Sequence, residues 1–165
     1  MEDKAALTTR GGLAAPLPPP LEGNHSKVIR KASAGFEWAG VALESYKSDT
    51  ATWKGISRRE LVGKRGESTK FHVRYFEIQP GGHSTLEKHE HEHVVIVLRG
   101  CGEAQAGCYI WKVAPGDVVY VSPLDPHQFR CPAAASEPFG FLCIVNAERD
   151  APTAVDGLGV CHICE

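Results

Sequence analysis

Four of the chain's eight histidines, His83, His89, His91 and His93, fall within the stretch GGHSTLEKHEHEHVVIVLRG that runs from Gly81 to Gly100. Neutral imidazole is the commonest protein ligand for transition metals, and Glu87, Glu90 and Glu92 put hard carboxylate oxygens into the same segment. The chemistry these residue types offer is a centre for a divalent transition metal: iron, manganese, nickel, copper or zinc. The alternative is a solvated loop of alternating charge whose histidines bind nothing. Arg74 is a separate candidate, because a guanidinium captures a substrate carboxylate through two parallel hydrogen bonds; an ordinary surface arginine is the competing account. At the far end of the chain Cys161 and Cys164, in CHIC, have the spacing of half a zinc site or of a redox pair. With no second Cys-x-x-Cys pair nearby to complete four-coordination, a mobile tail is the better account of them.

The elements that must position these groups read as strands. Val94 to Leu98 is a short β-branched run ending at Gly100, which suits a strand covered on both faces and sets the histidines at its mouth. Lys70 to Ile78 alternates, with Phe71, Val73 and Tyr75 on one face and His72, Arg74, Phe76 and Ile78 on the other. Pro80, Gly81 and Gly82 are expected to end it in a turn. Glu103 to Ala106 and Tyr109 to Val113 flank Gly107 as a hairpin, Val118 to Val121 follows a Pro-Gly-Asp turn, and Pro138 to Val145 is a last apolar strand. The segments Phe36 to Leu43 and Ile56 to Val62 look like early strands. Many short strands between Gly and Pro turns, with almost no amphipathic helical pattern, indicate an all-β sandwich or barrel. Reach constrains the histidines further. In a straight strand residues 87 and 93 would stand about 20 Å apart, too far for one ion, so the chain must turn between His89 and His93. A rival arrangement uses His89 and His91 as the ligand pair.

Two segments together resemble the cupin superfamily, small jelly-roll β-barrels. Gly100 matches the last glycine of the first cupin motif. Counting back from it places His93 where the family has glutamate, His89 on the second histidine of His-x-His, and Glu87 on the first. In the second motif Gly116 and His127 match, with Ser122 in place of the proline and Cys131 in place of the asparagine. The resemblance covers about Phe71 to Val145. It implies a metal held by Glu87, His89, His93 and His127, with glutamate and histidine exchanged between two positions. It also implies a small-molecule substrate at an open metal position, in a cavity for which Arg74, Val95, Val97, Tyr120 and Phe129 are candidate lining residues; ordinary core packing is the alternative for Tyr120 and Phe129. The expected activity is that of a metal-dependent, dioxygenase-like oxidoreductase. A non-catalytic binding module, or a redox-neutral isomerase or lyase on the same site, are the competing readings. Cupins pair through exposed edge strands, so a homodimer is expected.

Composition limits the remaining choices. A chain of 165 residues fits one domain, here residues 35–150 as the barrel, with a Pro/Gly-rich tail over 1–34 and a second tail over 151–165. Formal net charge −2 and a pI near 6.4 give no basic field for nucleic acid or anionic membrane. No apolar run approaches a membrane span and no signal-type apolar core opens the chain, which points to a cytoplasmic protein.

Overall fold

The computed structural model describes residues 20–48 and 51–155. Among them there is no helix, and the strands are β1 (Glu44–Ser45), β2 (Lys54–Val62), β3 (Phe71–His83), β4 (Glu87–Lys88), β5 (His93–Arg99), β6 (Gly102–Ala106), β7 (Tyr109–Val113), β8 (Val118–Val121), β9 (His127–Arg130), β10 (Phe139–Asn146) and β11 (Thr153–Ala154). All pairings between strands are antiparallel. One wall runs β2-β3-β10-β5-β8, and β9 joins β3, β4 and β6 to form the other. The result is the jelly-roll barrel expected from the sequence.

β3 makes the corner between the two walls. Its first part lies between β2 and β10, with Arg74 opposite both Glu60 and Cys143; its end turns to β9, where His83 meets Arg130. The Pro80-Gly81-Gly82 stretch is therefore a bend inside one strand of 13 residues rather than the turn expected to end it. Proline supplies no ladder donor and Gly81 sits at φ +77°, so the strand changes partners at the one place where its own pairing is already weakened.

Strand alternation sets the core. Val95, Val97, Val121, Ile78 and Phe139 are fully buried, and Phe141 packs against Phe76, Phe129 and Phe139 with ring centroids 4.9–5.7 Å apart, the offset and tilted geometry that aromatic quadrupoles favour. β5 carries His93, Val95 and Val97 inward on one phase, so the same period that buries the valines points the first histidine of the strand into the barrel. At the end of β5, Gly100 takes φ +61° with the Pro138 carbonyl oxygen 2.3 Å from where a Cβ would stand. A glycine is needed there on both counts.

The outer face of β3 is covered by the segment that precedes the barrel. Phe36 to Leu43 does not form a strand; instead Phe36 stacks on Tyr75 at 5.5 Å and Trp38 tilts against it at 4.9 Å. Residues 20–34, read from composition as tail, are docked as well. Lys27 pairs with Glu67, Asn24 bonds Ser68 through both its amide nitrogen and its oxygen, and the Gly23 amide donates to the Arg65 carbonyl. Composition missed this because the attachment is made by individual polar groups and not by a periodic apolar face.

Candidate metal centre

Three strand ends bring the histidines together. β4 stops at Lys88, residues 89–92 bend, and β5 begins at His93, so the chain turns where reach demanded it. β9 starts at His127, which lies opposite Glu87 in the ladder. One nitrogen from each of His89, His93 and His127 falls within 4.8 Å of the others, and all three residues are buried. Bonds of about 2 Å from one ion need that spacing after only small side-chain shifts.

The hydrogen bonds around the rings fix their roles. His89 Nδ1 is 2.7 Å from the His91 carbonyl and His127 Nδ1 is 2.9 Å from the Asp125 carbonyl. A carbonyl can only accept, so both rings carry their proton on Nδ1 and turn a bare Nε2 lone pair inward. Nε2 of His89 and of His93 is buried with no hydrogen-bond partner, a cost that buried polar atoms seldom bear without a ligand. Burial, helped by the charge of His127, holds His89 down to about 4 and His93 to about 2; burial also lowers His127. At neutral pH the cluster is three neutral imidazoles, the state a metal requires. The residues present fit a divalent transition metal.

His91 takes a different part. Its Nδ1 is 2.6 Å from Asp150 Oδ1, whose other oxygen accepts the Glu90 amide, and its ring stacks on His89 at 3.6 Å. It buttresses His89 from outside the trio. Glu87 lines the same cavity, buried, with its carboxylate ion-paired to Lys47. Neither Asp150 nor Lys47 carries any sequence signal of its role.

The histidines open onto a cavity of about 240 Å³ whose wall includes Arg74, Phe129, Phe141, Cys143 and Arg149. Arg74 and Phe129, two of the candidate lining residues, are on that wall. Val95 and Val97 are instead sealed in the core cluster and do not line the cavity. Tyr120 is 60% exposed: β8 turns Val119 and Val121 inward, which sends Val118 and Tyr120 out, a phase that a four-residue apolar strand does not reveal. Cys143 is buried at the cavity wall, its Sγ 3.7 Å from His93 Nδ1 and 3.3 Å from an Arg74 donor. Burial pushes its thiol up, against the pull of Arg74. Cys101 and Cys108 are exposed. Cys161 and Cys164 lie outside the described residues.

Residues 74–145 match the Cupin domain family, and the 1-methylthio-D-xylulose 5-phosphate methylsulfurylase of Rhodospirillum rubrum is 42% identical over 132 residues, 79% of this chain and 82% of that protein. The chain belongs to the cupin family. Solved cupins agree with the fold. A cupin-2 domain from Rhodospirillum rubrum is 43% identical with a TM-score of 0.68, covering 77% of this chain and 83% of the other. A cupin 2 conserved barrel domain protein from Rhodopseudomonas palustris is 39% identical with a TM-score of 0.69, covering 78% and 86%. Within the cupin barrel the three imidazoles occupy the mouth, and the cavity lies beside them.

Proposed function

We propose that this cupin is a metal-dependent enzyme acting on a methylthio-substituted ketose phosphate, the class of compound for which its Rhodospirillum rubrum relative is named. The observation that carries the reading is the buried trio of neutral imidazoles, with the Nε2 atoms of His89 and His93 unpartnered, lining a cavity of about 240 Å³. His89, His93 and His127 hold the ion, and Glu87, beside them on the same wall, is its fourth ligand once Lys47 releases it. A divalent ion bound there supplies Lewis acidity toward a ketone oxygen. The chain supplies the rest: Asp125 and His91 fix the imidazole orientations, Phe129 and Phe141 keep water from one wall, and Cys143 presents a thiol beside the sulfur-bearing end of a substrate seated at the trio. The dioxygenase-like reading rests on the same three imidazoles, but the relative's name favours chemistry at a carbon–sulfur bond over oxygen insertion.

We also read the protein as a cytoplasmic homodimer. β7 and β8 are each paired on one side only and expose Tyr109, Ile110, Trp111, Val118 and Tyr120, edges that a second copy would cover. Light scattering tests this: a monomer contradicts it. No helix among the described residues is long and apolar enough to cross a membrane.

The test of function supplies 1-methylthio-D-xylulose 5-phosphate with each candidate metal in turn and a small thiol, and follows the substrate by phosphorus and proton NMR. Metal-dependent loss of the methylthio signal, abolished in His93→Ala, is expected. An inert substrate under every metal, with oxygen consumed on other small organic acids, would return the oxygenase reading.

A further inference from the structure

Four cationic side chains line the cavity, Lys47, Arg58, Arg74 and Arg149, and they are not equivalent. Lys47 is neutralised by Glu87. Arg58 is neutralised by Glu44 at 3.1 Å and Glu60 at 3.5 Å. Among the described residues Arg74 and Arg149 have no carboxylate within ion-pair distance. Glu60 faces Arg74 across the ladder but makes no ion pair with it: its Oε1 is engaged by Arg58 and Lys64, and its Oε2 is buried with no hydrogen-bond partner. Arg74 lies over the Phe76 ring, its guanidinium carbon 5.1 Å from the centroid; its one hydrogen bond goes to the Cys143 sulfur, and its Nε is buried with no partner. Arg149 donates only to the Asn146 and Ala147 carbonyls and to His72 Nδ1. Two like charges, Arg74 half-buried and Arg149 exposed, thus face this wall with no carboxylate in direct ion-pair contact, and an incoming anion would supply that contact.

We propose that Arg74 and Arg149 are the anchor for the phosphate monoester of the substrate. The inference rests on the ketose phosphate reading above and adds which residues recognise the phosphate end. Its geometry follows from Cys143, whose sulfur lies between Arg74 and His93. A short ketose phosphate laid along that wall puts its carbonyl end at the imidazoles and its phosphate at the two guanidiniums. The planar donors of arginine match phosphate oxygens in pairs, which a lysine point charge does not. Burial and the nearby charge of Arg74 lower Arg149 from its ordinary value, and the more distant charge of Glu60 offsets this only in part.

Calorimetry on the full-length protein with three probes, D-xylulose 5-phosphate, D-xylulose and inorganic phosphate, tests the anchor without any reaction. The wild type is expected to prefer D-xylulose 5-phosphate over D-xylulose by at least about tenfold. Arg149→Gln, on an exposed residue, should erase most of that preference. Arg74→Lys, which keeps the charge and loses the fork, should reduce it while thermal melting shows the barrel intact. Arg58→Gln should leave it in place. Equal binding of the two sugars by the wild type, or a preference that survives in Arg149→Gln and Arg74→Lys and disappears in Arg58→Gln, overturns the anchor. Tight binding of inorganic phosphate alone, without preference between the sugars, assigns the cations to a free-anion site and overturns it too. The reaction itself is judged separately. If the phosphate preference behaves as expected but the methylthio ketose phosphate is never consumed, the function proposed above fails and the anchor stands. If the compound is consumed equally well without its phosphate, the reverse holds.

Discussion

His89 donates from Nδ1 to the backbone carbonyl of His91 across 2.7 Å, and the His91 ring then stacks on His89 at 3.6 Å. A residue two positions along the chain thus sets the tautomer of a metal-facing imidazole through its backbone and fixes its tilt through its side chain. Asp150, from the far side of β10, holds His91 in turn. The centre is built outward from three nitrogens in successive layers of support, and each layer is open to measurement.

The outermost layer is the easiest to perturb. Asp150→Asn keeps size but weakens the charge-assisted bond to His91 and the bond from the Glu90 amide. Metal affinity measured by competition with a chelator should fall by about tenfold, the usual effect of removing an outer-shell carboxylate, with the thermal melting temperature of the metal-free protein changed little. An unchanged affinity would show that His91 is positioned by packing alone.

Acid should weaken the metal-free fold well above the range of carboxylates. His89, His93 and His127 are all held below the ordinary imidazole value, chiefly by burial. In the unfolded chain they take up protons near pH 6.5, whereas in the folded chain His89 resists until about pH 4 and His93 until about pH 2. The unfolded state therefore binds more protons in that window, and stability must fall as pH drops from about 6.5. Melting temperatures of metal-free protein at pH 7.5, 6.5, 5.5 and 4.5 check this. In His93→Gln the slope should be shallower, and a flat profile in the wild type would contradict the neutral cluster.

Glu67 fastens the N-terminal segment. Burial works against its charge, but the amides of Arg65 and Gly63 and the Lys27 ammonium hold its carboxyl down at about 2. Because the folded value lies below the unfolded one, this contribution is present above about pH 4.5 and is lost as pH falls toward 2. Glu67→Ala removes it at every pH and leaves Lys27 partly buried and unpaired. Denaturant unfolding at pH 7 should show a loss of about 2 kcal/mol, with limited proteolysis now cutting within residues 20–31. Full resistance to proteolysis would mean that Phe36 and Trp38 alone secure the segment.

Gly100→Ala probes the corner that ends β5. Placing a Cβ at φ +61° and against the Pro138 carbonyl should cost about 2 kcal/mol or more. Gly116→Ala, also at positive φ but with open space around it, should cost less. Equal losses in the two variants would show that backbone conformation and not the contact dominates.

The barrel was legible because period-two strands separated by Gly and Pro leave few other solutions, and because the His-x-x-x-His-x6-Gly spacing and the lone His127 announce converging strand ends. Tyr120 shows where legibility stops. Its face depends on the phase of a four-residue strand, and Val118-Val-Tyr-Val121 is apolar in both phases. Asp150, Lys47 and Arg149 were invisible for a different reason: each reaches the site from an irregular or distant segment, and nothing in the local sequence of a surface charge records which cavity it will face. The face of Arg74 was readable because β3 alternates, but that it makes no ion pair with Glu60, whose Oε1 goes to both Arg58 and Lys64, is a fact of packing.

His89, His93 and His127 are expected to hold one transition metal, with His91 outside the set. Metal content by mass spectrometry on protein purified without an affinity tag, in the wild type and in the His127→Ala, His93→Ala and His91→Ala variants, tests it most directly. Near-stoichiometric metal in the wild type, lost with His127 or His93 and largely retained without His91, is the expected result. A wild type that neither carries metal nor takes it up, or a His127→Ala variant with undiminished metal, would contradict it.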